Sequence, residues 1–284
     1  MAGPEFILAL SCPDRRGIVA EVSRFLFERN CNILDSQQFG DRGNGRFFMR
    51  VHGLSEGGVA LDRLEADFAP IAAQFAMQAQ VFDAAKKTRA VIMVSKFGHA
   101  LVDLLYRARI GAIPLEIALI VSNHRDFADV AAASGVEFVH LPVSRDTKAA
   151  QEARLAELMA RHRVDLVVLA RYMQILSDDF CRDRLGRIIN IHHSFLPSFK
   201  GANPYTQAHE RGVKLIGATA HYVTGDLDEG PIIEQSVERV THAQGPDDYV
   251  AVGRDIESRT LARAVKWHCE HRILLNGRRT VVFA

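Results

Sequence analysis

Ala90-Val-Ile-Met-Val-Ser-Lys-Phe-Gly-His-Ala100 is the stretch on which the fold class turns. Its five leading apolar residues describe a strand buried on both faces, as in a parallel sheet covered by helices on each side. Ser95 breaks the run, and Leu101, Leu104 and Leu105 then begin a helix. Outward from here the alternation repeats. Residues 115–121 read as a strand, 125–134 as a helix and 136–140 as a short strand. Residues 148–161 read as an Ala-, Leu- and Glu-rich helix and 165–169 as another buried strand. This order predicts an α/β domain with a doubly wound, mostly parallel sheet and right-handed crossovers. Ligands of such sheets sit beyond the carboxyl ends of the strands. The turn after Val94 has a single glycine, so neither a dinucleotide fingerprint nor a P-loop fits there.

Upstream, residues 5–11 read as a strand ended by Cys12-Pro13-Asp14. Ile18, Val22, Phe25 and Leu26 follow at helical spacing, and Asn30 closes that helix. Residues 32–34 open a second strand. Asp41-Arg-Gly-Asn-Gly45 supplies turn residues that tolerate positive φ, predicting a hairpin into residues 46–52. Phe47, Met49 and Val51 share one face of that third strand. A second helix carries Leu61, Leu64, Phe68, Ile71 and Phe75 on one stripe, and residues 77–82 make a last strand. The βαββαβ order is a ferredoxin-like split βαβ unit, with two helices on one sheet face. Asp83-Ala-Ala-Lys-Lys-Thr-Arg89 is small and charged, and separates a domain at 1–84 from one at 85–284.

A formal net charge of +1 gives no bias toward nucleic acid or an anionic membrane. The short basic clusters Arg161-His-Arg163 and Arg278-Arg279 read as solvated surface. Cys12, Cys31, Cys181 and Cys269 match no metal or redox spacing. No charged-then-apolar leader and no membrane-length apolar run is read in the sequence, so a soluble, cytoplasmic protein is expected.

Candidate chemistry lies in Ile188-Ile-Asn-Ile-His-His-Ser-Phe-Leu-Pro-Ser-Phe-Lys200 and in His221-Tyr-Val-Thr-Gly-Asp-Leu-Asp-Glu-Gly-Pro231. Strand alternation puts Asn190 and His192 on one face and Ile191 on the other. His193 would point away if the strand continued, and reads as a packing or orienting residue. Asn203-Pro204 predicts an N-cap and first turn of a helix that stops at Gly212. Residues 215–223 and 231–240 read as further, partly antiparallel strands. The loop between them offers Asp226, Asp228 and Glu229, with Glu229 expected to face solvent. Residues 170–176 are either an ordinary connection or a platform for a flat heterocycle. In the second case Met173 and Leu176 would pack the ring and main-chain groups would bond its edge.

Two resemblances sharpen these expectations. Ser11-Cys-Pro-Asp-Arg-Arg-Gly-Ile18 and Cys31-Asn-Ile33, within the βαββαβ order, resemble the ACT domain, a regulatory module that often binds amino acids. That implies a homo-oligomer and a candidate effector site at Asp14, Arg15, Gly17 and Asn32; a ligand-free dimerisation module is the alternative. Asn190-Ile-His-His-Ser-Phe-Leu-Pro-Ser-Phe-Lys-Gly201 with His221-Tyr-Val-x5-Glu-Gly-Pro-Ile-Ile233 resembles the formyltransferase family that uses 10-formyltetrahydrofolate, over residues 89–244. The resemblance implies that Asn190, His192 and Asp228 are catalytic. It places the folate pocket at Arg171, Tyr172, Met173, Gln174, Ile175, Leu176, His221, Val223 and Thr224, with the rest of the 223–228 loop beside them.

These residue types suit the cleavage of an N-aryl formamide, which passes through a tetrahedral oxyanion. An amide and an imidazolium can donate to that oxygen, and a carboxylate beside the ring favours the imidazolium and orients a water. No metal and no cofactor is expected; the partners expected are the folate substrate and an amino-acid effector. The family's ribonucleotide transformylases carry Gly-Asn-Gly-Ser-Asn after the first strand to hold a phosphate, and His-Pro where this chain has His192-His193. Here Ser95-Lys-Phe-Gly-His99 stands instead. Residues 246–284 carry a helix (Ile256, Leu261, Val265) and an Asn276-Gly277 hairpin, not an RNA-binding domain. The chain thus resembles the branch of the family whose acceptor is water, releasing formate, balancing one-carbon pools and supplying purine synthesis. A ribonucleotide transformylase with an unusual loop and an idle sensing module are the other readings.

Overall fold

Alternating apolar residues build the first sheet of this computed structural model, which describes residues 3–195 and 204–284. Strands β1 (Glu5–Pro13), β2 (Cys31–Asp41), β3 (Arg46–Ser55) and β4 (Gln78–Asp83) pair antiparallel in the order β2-β3-β1-β4. Helices α1 (Ile18–Glu28) and α2 (Leu61–Gln74) cross one face. There Phe6, Leu8 and Leu10 of β1 and Phe47, Met49 and Val51 of β3 meet Val22, Phe25, Leu26, Leu64 and Phe68 in one buried cluster. Each large side chain so buried contributes about 1.5–3 kcal/mol relative to exposure. Gly17, at φ 96°, starts α1 in a conformation that a β-carbon would strain.

The opposite face of that sheet is also covered, in part by the C-terminal tail. Ile7, Phe48 and Arg50 are buried. His271 stacks on Phe82 with ring centroids 3.6 Å apart. Arg50 donates to the Glu270 carbonyl from Nε and Nη2, at 3.2 and 3.0 Å. Asn276 donates to Asp41 at 2.7 Å.

The chain accordingly divides into two compact units. One is Met1–Lys86 with Glu270–Asn276 and Thr280–Ala284; the other is Lys87–Cys269 with Gly277–Arg279. The first boundary falls two residues past the expected one. The expected extent of the second domain, 85–284, is corrected at its end, because these tail contacts join residues far apart in sequence.

In the second unit the strand–helix alternation forms a seven-stranded sheet. Its first part runs β5 (Thr88–Val94), α3 (His99–Arg109), β6 (Leu115–Ser122), α4 (Ala128–Ala133), β7 (Glu137–His140), α5 (Lys148–Arg161) and β8 (Leu166–Leu169). Then come α6 (Asp178–Arg182), β9 (Ile188–His192), α7 (Pro204–Glu210), β10 (Leu215–Tyr222), β11 (Ile232–Arg239) and α8 (Pro246–Cys269). The order is β11-β10-β9-β8-β5-β6-β7. Strands β5 to β9 are mutually parallel where they pair, and β10 pairs antiparallel with both β9 and β11. Strand order reverses between β5 and β8, which puts a crevice beyond their carboxyl ends. Helix α7 starts at Pro204 and Gly212 follows at φ 63°; the expected Asn203 cap and residues 196–200 of the motif lie outside the described residues. The hairpin β12 (Ile273–Asn276) and β13 (Arg279–Val282) turns at Gly277.

Removing Arg50 takes two donors away from the Glu270 carbonyl. Arg50→Ala should cost about 1–3 kcal/mol in urea unfolding and open a new protease cut near residue 270. Unchanged stability with an uncut tail would show that Arg50 does not fasten it.

Candidate active site

The antiparallel register of β9 and β10 sets the geometry. Asn190 lies opposite His221 and His192 opposite Thr219, so all four side chains share one face. Pairing of β10 with β11 shifts between Ala220 and His221, a local irregularity that re-aims a strand side chain. Asn190 Nδ2 then stands 3.3 Å from His221 Nε2. His221 Nδ1 lies 2.9 Å from the Tyr222 carbonyl, to which it can donate.

The carboxylate comes from the loop after β10. Tyr222 N donates to Pro231 O at 2.9 Å and closes that loop. Gly230 is required there, since a β-carbon would sit 1.7 Å from the Tyr222 carbonyl oxygen. Asp228 adopts φ 57°, a left-handed conformation that Asp tolerates better than most residues. Its Oδ2 is 3.2 Å from His192 Nδ1 and its Oδ1 is 3.6 Å from His221 Nε2. Burial pushes the Asp228 carboxyl up, but hydrogen bonds with His192 and His221 outweigh it and hold the group well below the usual carboxylate range. Glu229 is exposed and pairs with Arg278 at 3.3 Å. His192 Nε2 lies 2.8 Å from Ser194 Oγ, and Thr219 Oγ1 donates to Ser194 O at 3.0 Å, fixing the turn after β9.

These groups face a cavity of about 240 Å³ between the 170–176 and 223–228 loops. All nine residues expected in the folate pocket line it, together with Asn190, His192, His193 and Asp228. Their side chains differ in what they offer. Met173 and Ile175 are exposed, whereas Leu176 and Tyr172 belong to the hydrophobic core. The Tyr172 hydroxyl is taken by Gln151 Nε2 at 2.8 Å, and burial pushes its pKa up to about 12. The loop is tied to the end of β5: Met173 N donates to Ser95 Oγ at 3.0 Å and Ser95 N to Arg171 O at 3.2 Å. A larger cavity of about 730 Å³ between α3, β11 and α8 holds none of Asn190, His192 or Asp228. Chemistry rather than size selects the smaller one.

Several features escaped the sequence reading. Arg171 takes φ 62° and its guanidinium turns toward Glu257, with Nε 3.5 Å from Oε2. Glu257, 1% exposed, also meets His99 Nε2 at 2.7 Å and accepts from the Tyr205 hydroxyl at 2.7 Å. Burial raises the Glu257 carboxyl, yet the bond to His99 and the Arg171 charge bring it below its ordinary value. Nothing local in α8 marks Glu257, because its partners come from other elements. His193 does not point away as expected: β9 ends at His192, and the chain turns it to the cavity. Gly225, Asp226 and Leu227, in the loop that the resemblance places beside the pocket, also line the cavity.

The four residues expected at an effector site are not brought together. Asp14 N donates to Gly45 O beside the β2–β3 turn, whereas Asn32 pairs with Leu54, which lies opposite Glu5 at the other end of the sheet. Arg15 lies over the Phe75 ring and donates to the Gln74 carbonyl. The reason is directional: β1 and β2 both pair antiparallel with β3, so the end of one lies far from the start of the other.

Both domains match known families: formyl transferase over residues 88–265 and the ACT domain over residues 6–69. A formyltetrahydrofolate deformylase from Corynebacterium sp. (strain P-1) is 50% identical, with 97% of each chain covered. The Bacillus subtilis protein of the same name is 47% identical over 97% of this chain and 93% of its own. A crystal structure of formyltetrahydrofolate deformylase from Burkholderia mallei superposes with a TM-score of 0.95 at 51% identity, covering 99% of this chain and 100% of that one. Glycinamide ribonucleotide transformylase 1 from Symbiobacterium toebii reaches a TM-score of 0.66 at 32% identity, over 72% of this chain and 97% of that one.

The depressed Asp228 and Glu257 carboxyls carry a signed pH effect. Their stabilisation is present above the unfolded carboxylate range, about 3.9–4.3, and is lost as pH falls through that range toward the folded values. Stability to urea should therefore fall below about pH 4. Asp228→Asn should show a shallower fall; equal slopes would mean that Asp228 is not ion-paired in the folded protein. With its two matched domains and near-full-length relatives, the chain belongs to the formyl transferase family and, within it, to the formyltetrahydrofolate deformylases.

Proposed function

We propose that this chain hydrolyses 10-formyltetrahydrofolate to tetrahydrofolate and formate, and so balances one-carbon pools and supplies formate for purine synthesis. The observation that carries the reading is the meeting of Asn190, His192 and Asp228 in one cavity at the strand ends. The near-full-length relatives named for this activity support it.

Asn190 Nδ2 points an N–H at the formyl oxygen as it becomes an oxyanion. The His192–Asp228 pair sets a polarised imidazole beside the same oxygen. Loss of one donor of this kind costs about two to three powers of ten in rate. The 170–176 loop offers main-chain groups for the heterocycle's edge, with Met173 and Ile175 exposed against it. The acceptor is water. In support, the connection after β5 is filled by the protein's own atoms: a β-carbon on Gly98 would sit 2.1 Å from Phe127 Cε1, and Ser95 Oγ donates to Asn123 at 2.7 Å. The chemistry asks for no cofactor.

Finer parts of the reading are a homo-oligomer formed through the ACT domain, an amino-acid effector and a cytoplasmic site of action. Strand β2 is an edge strand that exposes Ile33, Leu34 and Phe39, and an apolar edge invites a second copy. No described helix is long and apolar enough to cross a membrane.

Formate release from 10-formyltetrahydrofolate, with chelator and without any amine acceptor, is the primary test. A strict need for glycinamide ribonucleotide would overturn the reading. Asp228→Asn should lower turnover by several powers of ten with folate binding largely kept; near-normal turnover would remove Asp228 from the chemistry. A thermal-shift screen of free amino acids against the full chain tests the effector, with a shift expected for at least one; no shift at millimolar concentrations would leave the domain an oligomerisation module.

A further inference from the structure

We infer that His193 is the group that holds and deprotonates the attacking water, an inference that rests on the hydrolytic reading above. It lines the same cavity as Asn190, His192 and Asp228. Its ring centroid lies 5.1 Å from that of His192 and 6.4 Å from that of Tyr205. The other two histidines of the site are already committed, His192 as the donor to the oxyanion and both of them to protein partners. His192 is engaged by Asp228 at 3.2 Å and by Ser194 at 2.8 Å. His221 faces the Tyr222 carbonyl with one nitrogen and Asn190 and Asp228 with the other. The ring nitrogens of His193 make no hydrogen bond among the described residues.

The surroundings of His193 keep it an acceptor. Among the described residues, Arg171, His192, Glu257 and Asp228 are the charged and titratable groups around it, with Tyr205 beside its ring. Burial first, then the Arg171 guanidinium and His192, push its imidazole down to about 4, against the weaker opposing pull of Glu257 and Asp228. It therefore meets water as the neutral base at neutral pH. The Asp228 carboxyl lies lower still and is the poorer base. Arg171 is itself fixed by Glu257, so the network beyond the cavity sets the state of the base inside it.

The step balances without another reagent. The water oxygen bonds to the formyl carbon while one water proton passes to the free nitrogen of His193, and the carbonyl pair moves to oxygen. Collapse re-forms the C=O bond and breaks the bond to N10, whose electron pair takes the proton from His193. Formic acid leaves and gives its proton to solvent. A weak base becomes a strong acid once protonated, which suits transfer to a poorly basic aryl nitrogen.

The test measures kcat and KM for formate release, tetrahydrofolate binding and melting temperature in His193→Ala and His193→Gln. Glutamine keeps a hydrogen-bond acceptor but cannot carry the proton. A kcat loss of about 100-fold is expected in both, with KM, tetrahydrofolate binding and melting temperature close to those of the unaltered protein. A loss below tenfold in either variant, or a loss matched by weaker folate binding or a lower melting temperature, would overturn the inference. Should the alanine variant fail to fold, the glutamine variant decides. Absence of formate release by the unaltered protein would sink the hydrolytic reading itself, whereas an active protein with indifferent variants sinks only the role of His193.

Discussion

The pairing register between β9 and β10 is the constraint on which the site depends. Asn190 faces His221 and His192 faces Thr219 only in this alignment, and a slip by one residue would turn each side chain to the opposite face. Parallel pairing brings β9 in beside β8, and the antiparallel return through β10 delivers the acidic loop to the same strand end. Closure of that loop by Tyr222 and Pro231, with no room for a side chain at Gly230, leaves Asp228 little freedom to move away. The charge distribution follows from this frame. Two imidazoles offset the cost of burying the carboxylate, and the carboxylate in turn fixes the orientation of His192.

Much of this was legible in the chain, for identifiable reasons. Period-two alternation over Asn190 and His192 and continuous apolar runs such as Ala90-Val-Ile-Met-Val94 report burial directly, because strand geometry leaves few alternatives. Loop residues were legible as a set rather than one by one. Tyr172 and Leu176 read as pocket residues, yet one has its hydroxyl bound to Gln151 and both sit in the core. The orientation of His193 depended on where β9 stops, and strand ends are weakly encoded. The set Arg171, Glu257, His99 and Tyr205 was illegible, because its four members come from four separate segments and meet only after the sheet is assembled. The effector residues failed in the opposite way: close in motif, they lie at two ends of one sheet.

The connection after β5 shows how a shared fold is turned to a different partner. Doubly wound sheets often use this turn for phosphate. Here Ser95 is stitched to the Arg171 and Met173 main chain, and Phe127 lies against Gly98. The Ser95 N–H, which would otherwise be free to meet an anion, is committed to the neighbouring loop. The same bonds stiffen residues 170–176, so one substitution of function in the turn yields a firmer wall for the other site.

The return of residues 270–276 and 280–284 to the first unit makes that unit discontinuous in sequence. A ribosome completes residues 1–86 early, yet one face of their sheet waits for a cover that is synthesised after Lys87–Cys269 of the second unit. During that interval Arg50 and Phe82 lack their Glu270 and His271 partners, and the nascent sheet is open to chaperones or to a neighbouring chain. The first unit is thus begun first and finished last. Its last contacts, at Arg50, Phe82 and Asp41, form only once the chain has passed residue 270.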